Sequence, residues 1–257
     1  MAIYKGNKKV VAVYKGSTPI NKIYKGVTLV FQKSGGGNTH LIEGTATGNF
    51  NMNINGNSIS ITPDADGKWF YDTDEKITSL DFAFSYISPL TSVDLSNLDL
   101  TGISTSGMFK ESPNITSIKF NTTKIIKSED IFQMFYNCKS LVSVDLSSFD
   151  TSDFTTLKDL FGGCSSLVSL NLSSFDTSKV ISTMGLFKDC SKLVSLDLSN
   201  FDMSNATSYN NMFKNCPKLS TIKCKQAFKD WCITNQDKIL LPTAMREGGS
   251  GTWEIIG

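Results

Sequence analysis

The sequence lacks most of the residue patterns that catalytic and metal-binding sites require. It has one histidine, His40, and no Cys-x-x-Cys pair, so zinc would find almost no ligands. It has neither a Gly-x-Gly-x-x-Gly segment nor a Walker loop. Acid–base catalysis needs paired carboxylates or a histidine-assisted nucleophile, and nothing outside the repeated positions described below offers them. We predict no catalytic residue, no metal site and no cofactor, and hence a protein that is not an enzyme.

Excess charge and long apolar runs are also missing. Twenty-five basic side chains face twenty-four acidic ones, and no basic stripe is present, so a nucleic-acid partner is not expected. No apolar run approaches the length that crosses a bilayer, so no membrane association is expected. The first residues, 1–6, contain no apolar signal region, so the sequence predicts no signal peptide and synthesis in a cytoplasm.

A repeated pattern occupies the middle of the chain. Three copies of a Leu-Val-Ser-x-Asp/Asn-Leu-Ser-x-Phe-Asp-x-Ser pattern begin at Leu141, Leu167 and Leu193, with a step of 26 residues. Each copy is followed by an apolar-Phe-x-x-Cys phrase, which ends at Cys164, Cys190 and Cys216. A fixed period in this range is typical of a solenoid, in which one unit buries its apolar side only against its neighbours.

Each unit contains two apolar patterns with different periods. Leu141, Val144 and Leu146 are predicted to point inward from a half-buried strand. Leu157, Leu160, Phe161 and Cys164 are spaced like one face of a short helix. Units of 25–26 residues begin at Leu90, Ile115, Leu141, Leu167 and Leu193. We therefore predict an α/β solenoid of about five units over residues 77–226, beginning with a helical half unit at 77–89.

Two residue types recur at the repeat period and are predicted to form buried columns. One column contains the phenylalanines Phe84, Phe109, Phe135, Phe161, Phe187 and Phe213. The other contains Cys138, Cys164, Cys190 and Cys216, which we interpret as reduced, small apolar side chains. Buried aromatic rings at every unit would supply the apolar area that holds the array together.

A shorter repeat occupies residues 1–33 and predicts a small β-meander. Its ten-residue period contains Tyr-Lys-Gly and alternating apolar residues. So few residues cannot be stable alone, so we expect an anchoring segment that docks onto other copies or a larger assembly. The candidate anchoring residues are Tyr4, Tyr14, Tyr24 and Phe31. A subdomain folded against the rest is the alternative, although the glycine-rich residues 34–38 favour a flexible linker.

The solenoid is expected to have a cap at each end. Residues 39–76 alternate apolar and polar side chains around Asn55-Gly56, which predicts short antiparallel strands forming a β cap. Residues 227–257 are expected to cap the other end, with a helix laying Phe228, Trp231 and Cys232 over the last unit.

The outward-facing strand positions form the candidate binding face. Its residues are Ser143, Asp145, Ser169, Asn171, Ser195 and Asp197. Repeated faces of this kind bind ligands in many solenoids, and the carboxylate and amide oxygens would suit a polyol or a cation such as calcium. The alternative is a solvated polar face, in which the serines and Asn171 reduce the repulsion between aspartates.

The repeat phrases resemble those of the BspA-like leucine-rich-repeat family. The likeness covers residues 77–226 and lies in Leu-x-Ser-Leu-Asp-Leu-Ser-x-Phe-Asp-x-Ser followed by Met-Phe-x-x-Cys. It implies a leucine-rich-repeat solenoid, often a module of bacterial surface or adhesion proteins. We expect the solenoid to bind a glycan or a protein ligand.

A second resemblance concerns residues 11–31. Their Val-Tyr-Lys-Gly and Ile-Tyr-Lys-Gly phrases look like N-terminal segments of structural proteins of tailed phages of gut bacteria, including the crAss-like group. This resemblance implies a virion protein assembled in the host cytoplasm, bound to a capsid or tail protein through residues 1–33. The leading hypothesis is therefore a phage decoration or fibre-like recognition protein. The alternative is a bacterial surface or protein–protein interaction protein.

Overall fold

The computed structural model describes residues 3–5, 8–10, 40–73, 76–121 and 131–256. Near the N-terminus, β1 (Ile3–Lys5) pairs antiparallel with β2 (Lys8–Val10). The rest of the predicted anchoring segment, and the predicted linker at 34–38, lie outside the described residues.

The strands predicted around Asn55-Gly56 are present. They are β3 (His40–Ala46), β4 (Phe50–Ile54), β5 (Asn57–Ile61) and β6 (Lys68–Thr73). The pair β4–β5 is a hairpin whose turn residues, Asn55 and Gly56, both have positive φ, as a two-residue turn requires. The buried ring of Trp69 meets the Phe50 ring edge-on at 5.2 Å, which joins the hairpin to β6.

Short parallel strands follow, all but the last at the repeat period or at twice that step. They are β7 (Leu90–Asp94), β8 (Ser117–Lys119), β9 (Ser169–Asn171), β10 (Ser195–Asp197), β11 (Thr221–Lys225) and β12 (Thr252–Ile256). One sheet has the order β6-β3-β7-β8 and another has the order β12-β11-β10-β9. Because β3 is hydrogen-bonded to both β6 and β7, the N-terminal strands continue the sheet that contains β7 and β8.

The prediction of an α/β leucine-rich-repeat solenoid is wrong. The described residues are mainly strands, in several sheets, and turns, and their one α-helix is α1 (Gln226–Thr234). The segments predicted as helices, including 77–89 and the segment containing Leu157, Leu160 and Phe161, are runs of turns. None of the helices formed by the described residues could span a lipid bilayer.

Left-handed residues explain why these segments are not helical. Each has two residues of positive φ four positions apart, such as Asp159 (φ 51°) and Gly163 (φ 77°), and an α-helix has no place for them. The N–H groups of Asp159 and Phe161 donate to Met184 and Leu186 in the next repeat, at 2.9 and 3.1 Å. The intervening N–H groups close local turns. Along each turn segment, successive backbone N–H groups therefore donate alternately to the next repeat and to their own turn.

The predicted phenylalanine column is confirmed as the core of the array. We number the repeats 1 to 6 by their buried phenylalanines, Phe84, Phe109, Phe135, Phe161, Phe187 and Phe213. Adjacent rings are stacked nearly parallel, with centroids 5.4–6.0 Å apart. A second line of rings, including Phe120 and Phe149, meets edge-on at 5.0 Å. Aromatic pairs of both geometries stabilise the contact between repeats beyond the area they bury.

The cysteine column is buried and reduced, as predicted. Each thiol lies beside the preceding repeat: Cys164 and Cys190 donate to the carbonyl oxygens of Phe135 and Phe161, both at 3.1 Å. In repeat 2 the position is taken by Ser112, whose hydroxyl donates to the Phe84 carbonyl oxygen. Each thiol thus adds a second hydrogen bond to a buried carbonyl oxygen that also accepts a backbone N–H of its own turn, as the Phe135 oxygen does from Cys138 at 3.1 Å.

The C-terminal cap follows repeat 6. As predicted, α1 covers the end of the array: Phe228 and Cys232 are buried, and the Phe228 ring meets Phe201 edge-on at 5.8 Å. A 3₁₀-helix (Thr243–Met245) then leads to β12, which pairs in parallel with β11. Residues 240–242, just before the 3₁₀-helix, form a turn and irregular chain.

Candidate binding face

Four of the six candidate binding residues lie side by side. The parallel pairing of β9 with β10 sets Ser169 opposite Ser195 and Asn171 opposite Asp197. The inward alternates on these strands, Leu170 and Leu196, are buried. Strand alternation and burial of the leucines therefore turn the serine and Asp/Asn columns outward.

The other two residues, Ser143 and Asp145, are exposed but do not belong to a strand. In the described part of the chain, residues 143–145 form no ladder with β8 on one side or β9 on the other. The nearest link is a long hydrogen bond of 3.4 Å from Val168 N–H to the Val142 carbonyl oxygen. The predicted face is therefore interrupted at repeat 3, an irregularity that the regular sequence spacing there does not reveal.

The Asp/Asn column also closes the turn at the end of each strand. The Oδ1 atom accepts from the N–H two residues later: Asp145 from Ser147 at 2.9 Å, and Asn171 from Ser173 at 2.9 Å. Asp197 accepts in the same way from Ser199 at 3.1 Å. Asp and Asn favour this local bond because their short side chains reach their own backbone. The repeated Asp/Asn-Leu-Ser triplet was the sequence signal for it.

Lysines of the following repeat neutralise this column near its two ends. The Lys119 ammonium lies 3.2 Å from Asp94 Oδ2, and the Lys223 ammonium lies 3.1 Å from Asp197 Oδ2. Between these two ion pairs are Asp145 and Asn171. Within the described residues, neither of them is paired with a lysine. In the middle of the face, the polar side chains thus have the fewest charged partners within the protein.

Hydrogen bonds keep the aspartates of this face ionised. Those from Ser147 lower the pKa of Asp145. At Asp197, partial burial raises the pKa, but the hydrogen bonds from Ser199 and Lys223 outweigh it and the net shift is downward. A general acid at neutral pH needs the opposite shift. These carboxylates are therefore suited to accepting hydrogen bonds rather than to donating protons.

Asp145, Asn171 and Asp197 are not arranged as a cation site. In the described ranges, no group of three or more His, Cys, Asp or Glu side chains is placed to hold a metal ion. The Oδ1 atoms that calcium would need are directed at serine N–H groups instead.

A column of exposed valines runs beside the serines. Val142, Val168 and Val194 are 50%, 43% and 39% exposed. They occupy the same position of three successive copies and are linked through their backbones, with Val194 N–H 2.8 Å from the Val168 carbonyl oxygen. The face therefore presents an apolar strip next to hydroxyl and carboxylate or amide groups.

The candidate anchoring residues are not brought into this face. Tyr4 lies in β1, where only the backbone is described, and Tyr14, Tyr24 and Phe31 lie outside the described residues. Their anchoring role stays a prediction.

A comparison with protein families accounts for the repeats. A family model described as "Mycoplasma protein of unknown function, DUF285" matches residues 103–231. The chain belongs to the DUF285 family. This match includes most of repeats 2 to 6. It agrees with the resemblance of the repeat phrases in this chain to the BspA-like family. A search of curated proteins found no match. The phage-like resemblance of residues 11–31 lies outside the matched range and gains no support from it.

Proposed function

We propose that this DUF285 protein is a non-enzymatic, surface-displayed recognition protein that binds a polymer or a protein through its strand face. The observation that carries the proposal is the middle of that face. There the described residues provide no side-chain partner for the hydroxyls of Ser143 and Ser169, and no lysine for Asp145. Polar groups at an exposed, repeated surface are available to a ligand. The BspA-like resemblance supports display on a surface.

The state of the thiols and carboxylates supports a non-enzymatic role. Burial raises the pKa of Cys164 and Cys190 well above the usual range, so these thiols are poor nucleophiles. Hydrogen bonds lower the pKa of Asp94 and Asp145 against any tendency of burial to raise it. Neither group is tuned toward neutral pH, as catalytic groups are.

Display on a phage particle is the narrower form of the proposal. It rests on residues 1–33, most of which lie outside the described residues. Attachment to a capsid or tail protein through that segment, and location on a virion, stay predictions. The strand-face proposal does not depend on them.

A charge and bulk substitution on the face provides the test. In the full-length protein, Ser169→Arg would place a long cation over Asn171 and the neighbouring valines. Ser204→Arg is the control, because Ser204 is an exposed serine two residues after Asp202, away from the strand face. Both proteins are applied to immobilised glycans, matrix proteins and bacterial wall fractions.

We expect the wild type and the Ser204→Arg variant to bind the same partner. The Ser169→Arg variant should bind it roughly tenfold or more weakly, a loss of about 1.4 kcal/mol. If Ser169→Arg binds as well as the wild type, the strand face is not the recognition surface.

A further inference from the structure

Repeat 1 carries two exposed aromatic side chains on its turn segment, Phe82 and Tyr86. They are 42% and 66% exposed, and both have left-handed backbone conformations, with φ of 54° and 58°. The residues at the same two turn positions of repeats 2 to 6 are polar residues or glycines. They are Gly107, Gln133, Asp159, Gly185 and Asn211, and Glu111, Asn137, Gly163, Asp189 and Asn215.

An exposed aromatic residue at positive φ lowers both the stability and the solubility of the protein. A bulky side chain at positive φ crowds the following carbonyl, whereas glycine and asparagine tolerate it. The strain is imposed by the stacking of the repeats. The Phe82 N–H donates to the Ser106 carbonyl oxygen at 2.9 Å, and the Tyr86 N–H donates to the Lys110 carbonyl oxygen at 2.8 Å. Strained residues that are also exposed point to a role other than packing.

The Phe82 ring packs against Gly107 of the next repeat. An added Cβ at Gly107 would lie 2.4 Å from the ring atom Cε1 of Phe82, so the ring occupies the space that this glycine leaves open. Ser85 lies between the two aromatic residues, and its hydroxyl donates to the Phe82 carbonyl oxygen at 2.8 Å. In the described part of the chain, neither ring stacks on another aromatic ring. The patch therefore combines a Phe82 ring of defined position, the exposed Tyr86 ring four residues later, and the Ser85 hydroxyl between them in sequence.

The charged groups nearby are already engaged. The Lys110 ammonium lies over the Tyr136 ring, 5.9 Å from its centroid, and Glu111 Oε1 accepts from Asn137 Nδ2 at 2.8 Å. Asp81 accepts from the Ser104 hydroxyl at 2.6 Å. One cation and two carboxylates, each with a partner, do not select a strongly charged ligand.

The size of the patch decides between a protein and a small ligand. A stable protein interface buries about 800 Å² on each partner. Two partly exposed rings contribute a small part of that, because a whole aromatic side chain buries roughly 150–250 Å². A sugar ring matches the patch better, since its C–H face packs on an aromatic ring while its hydroxyls reach the polar groups beside it.

We propose that Phe82 and Tyr86 form a binding platform for a neutral oligosaccharide at the N-terminal end of the array. The Phe82 ring, held over Gly107, and the exposed Tyr86 ring contact the C–H faces of sugar residues, and the Ser85 hydroxyl oxygen accepts a hydrogen bond from a sugar hydroxyl. This site is separate from the strand face and goes beyond the proposed function.

The test uses substitutions that relieve the strain. In the full-length protein, Phe82→Asn and Tyr86→Asn introduce the residue that repeat 6 has at the same two positions, Asn211 and Asn215. Asp189→Asn, at the Tyr86 position of repeat 5, is the matched control. Binding is measured on immobilised cellohexaose, chitohexaose and mannohexaose and by titration calorimetry, and Tm is measured for each protein.

We expect the wild type and Asp189→Asn to bind at least one of these oligosaccharides equally well. Each aromatic substitution should weaken binding roughly tenfold or more, while Tm stays equal or rises. Ser169→Arg should leave this binding unchanged, which separates the platform from the strand face.

Three results would overturn the proposal. The first is a wild-type protein that binds none of the three oligosaccharides. The second is an aromatic variant that binds as well as the wild type, or loses binding together with a fall in Tm, which would make the rings structural. The third is a wild-type dimer that dissociates in the Tyr86→Asn variant, which would assign the rings to self-association.

Discussion

Thr177 and Asp202, in neighbouring repeats, are joined by two hydrogen bonds that run in opposite directions. The Thr177 hydroxyl donates to the Asp202 carbonyl oxygen at 2.9 Å and accepts from the Asp202 N–H at 2.7 Å. Thr151 forms the same pair with Asp176, at 3.1 and 2.8 Å. The third copy has Met203 at this position, where the side chain is buried. A threonine is therefore used where another copy of the phrase follows, and an apolar residue where none does.

The first prediction concerns this bridge. Thr177→Val keeps the shape of the buried side chain but leaves the Asp202 N–H and carbonyl oxygen without their partner. We expect the free energy of unfolding to fall by about 1–3 kcal/mol, the cost of a polar group left unsatisfied. Equilibrium urea denaturation measures this change. An unchanged midpoint would mean that water replaces the hydroxyl at no cost.

A second threonine gives the opposite prediction. Thr183 is also fully buried, but its hydroxyl has no hydrogen-bond partner. Thr183→Val removes an unsatisfied polar group at nearly constant volume, so the free energy of unfolding should rise by roughly 1 kcal/mol. The same urea titration tests it. The two substitutions are chemically identical, so equal effects at both sites would contradict the hydrogen-bond assignment.

The third prediction distinguishes turns from helices. Gly163 has φ of 77°, and an added Cβ would lie 1.9 Å from Asn137 Oδ1. Gly163→Ala should therefore lower the free energy of unfolding by about 1–2 kcal/mol or more, since alanine is strained at this φ. In a helix the same substitution would instead stabilise by roughly 0.5–1 kcal/mol.

Gly248→Ala is the control for Gly163→Ala. Gly248 has φ of 76° with no atom within 4 Å of an added Cβ, so its substitution isolates the backbone cost from the collision with Asn137. We expect the smaller loss of stability at Gly248. A gain in stability at Gly163 would refute the turn conformation.

The fourth prediction concerns alkaline pH. Burial raises the pKa of Cys216 to about 12 and that of Cys224 to about 11, from a usual value of 9.0. The unfolded chain thus loses these protons at a lower pH than the folded chain does. The stabilisation is fully present below pH 9 and is lost as pH rises from 9 through 11 and 12, by up to about 1.4 kcal/mol per pH unit for Cys216 and by less for Cys224, whose pKa is raised less.

Denaturant unfolding at several pH values between 8 and 11 measures this dependence. The slope should become less steep in Cys216→Ala and Cys224→Ala, each of which removes one titrating thiol. Lysines also titrate in this range but are common to all three proteins. An identical slope in the wild type and both variants would show that the thiols are not the source.

The turn segments show which part of the fold the sequence could not predict. Leu157, Leu160, Phe161 and Cys164 have helical spacing and are all buried, yet the chain around them is not helical. A local signal was present, because Asn137, Gly163, Asp189 and Asn215 are residue types that tolerate positive φ. Recognising it required comparing the copies at one position, whereas apolar spacing alone fits both conformations.

The sequence predicted which residues form the candidate face, but not which of them are paired with lysines or where the face is interrupted. Strand alternation correctly turned Ser169, Asn171, Ser195 and Asp197 outward. The ion pairs of Asp94 and Asp197, the interruption at residues 143–145, and the exposed pair Phe82 and Tyr86 emerged only from the structure. All three depend on which atoms of one repeat meet those of the next.

By itself, the sequence determined the period of the repeats, the buried phenylalanine and cysteine columns and the outward polar columns. Apolar side chains repeated at a fixed step must be covered, and only neighbouring copies can cover them. The tertiary structure decided the backbone conformation between the strands. There, N–H groups such as that of Phe161 donate to the next repeat, and the energy of such bonds depends on residues about 25 positions away in the chain rather than on local preference.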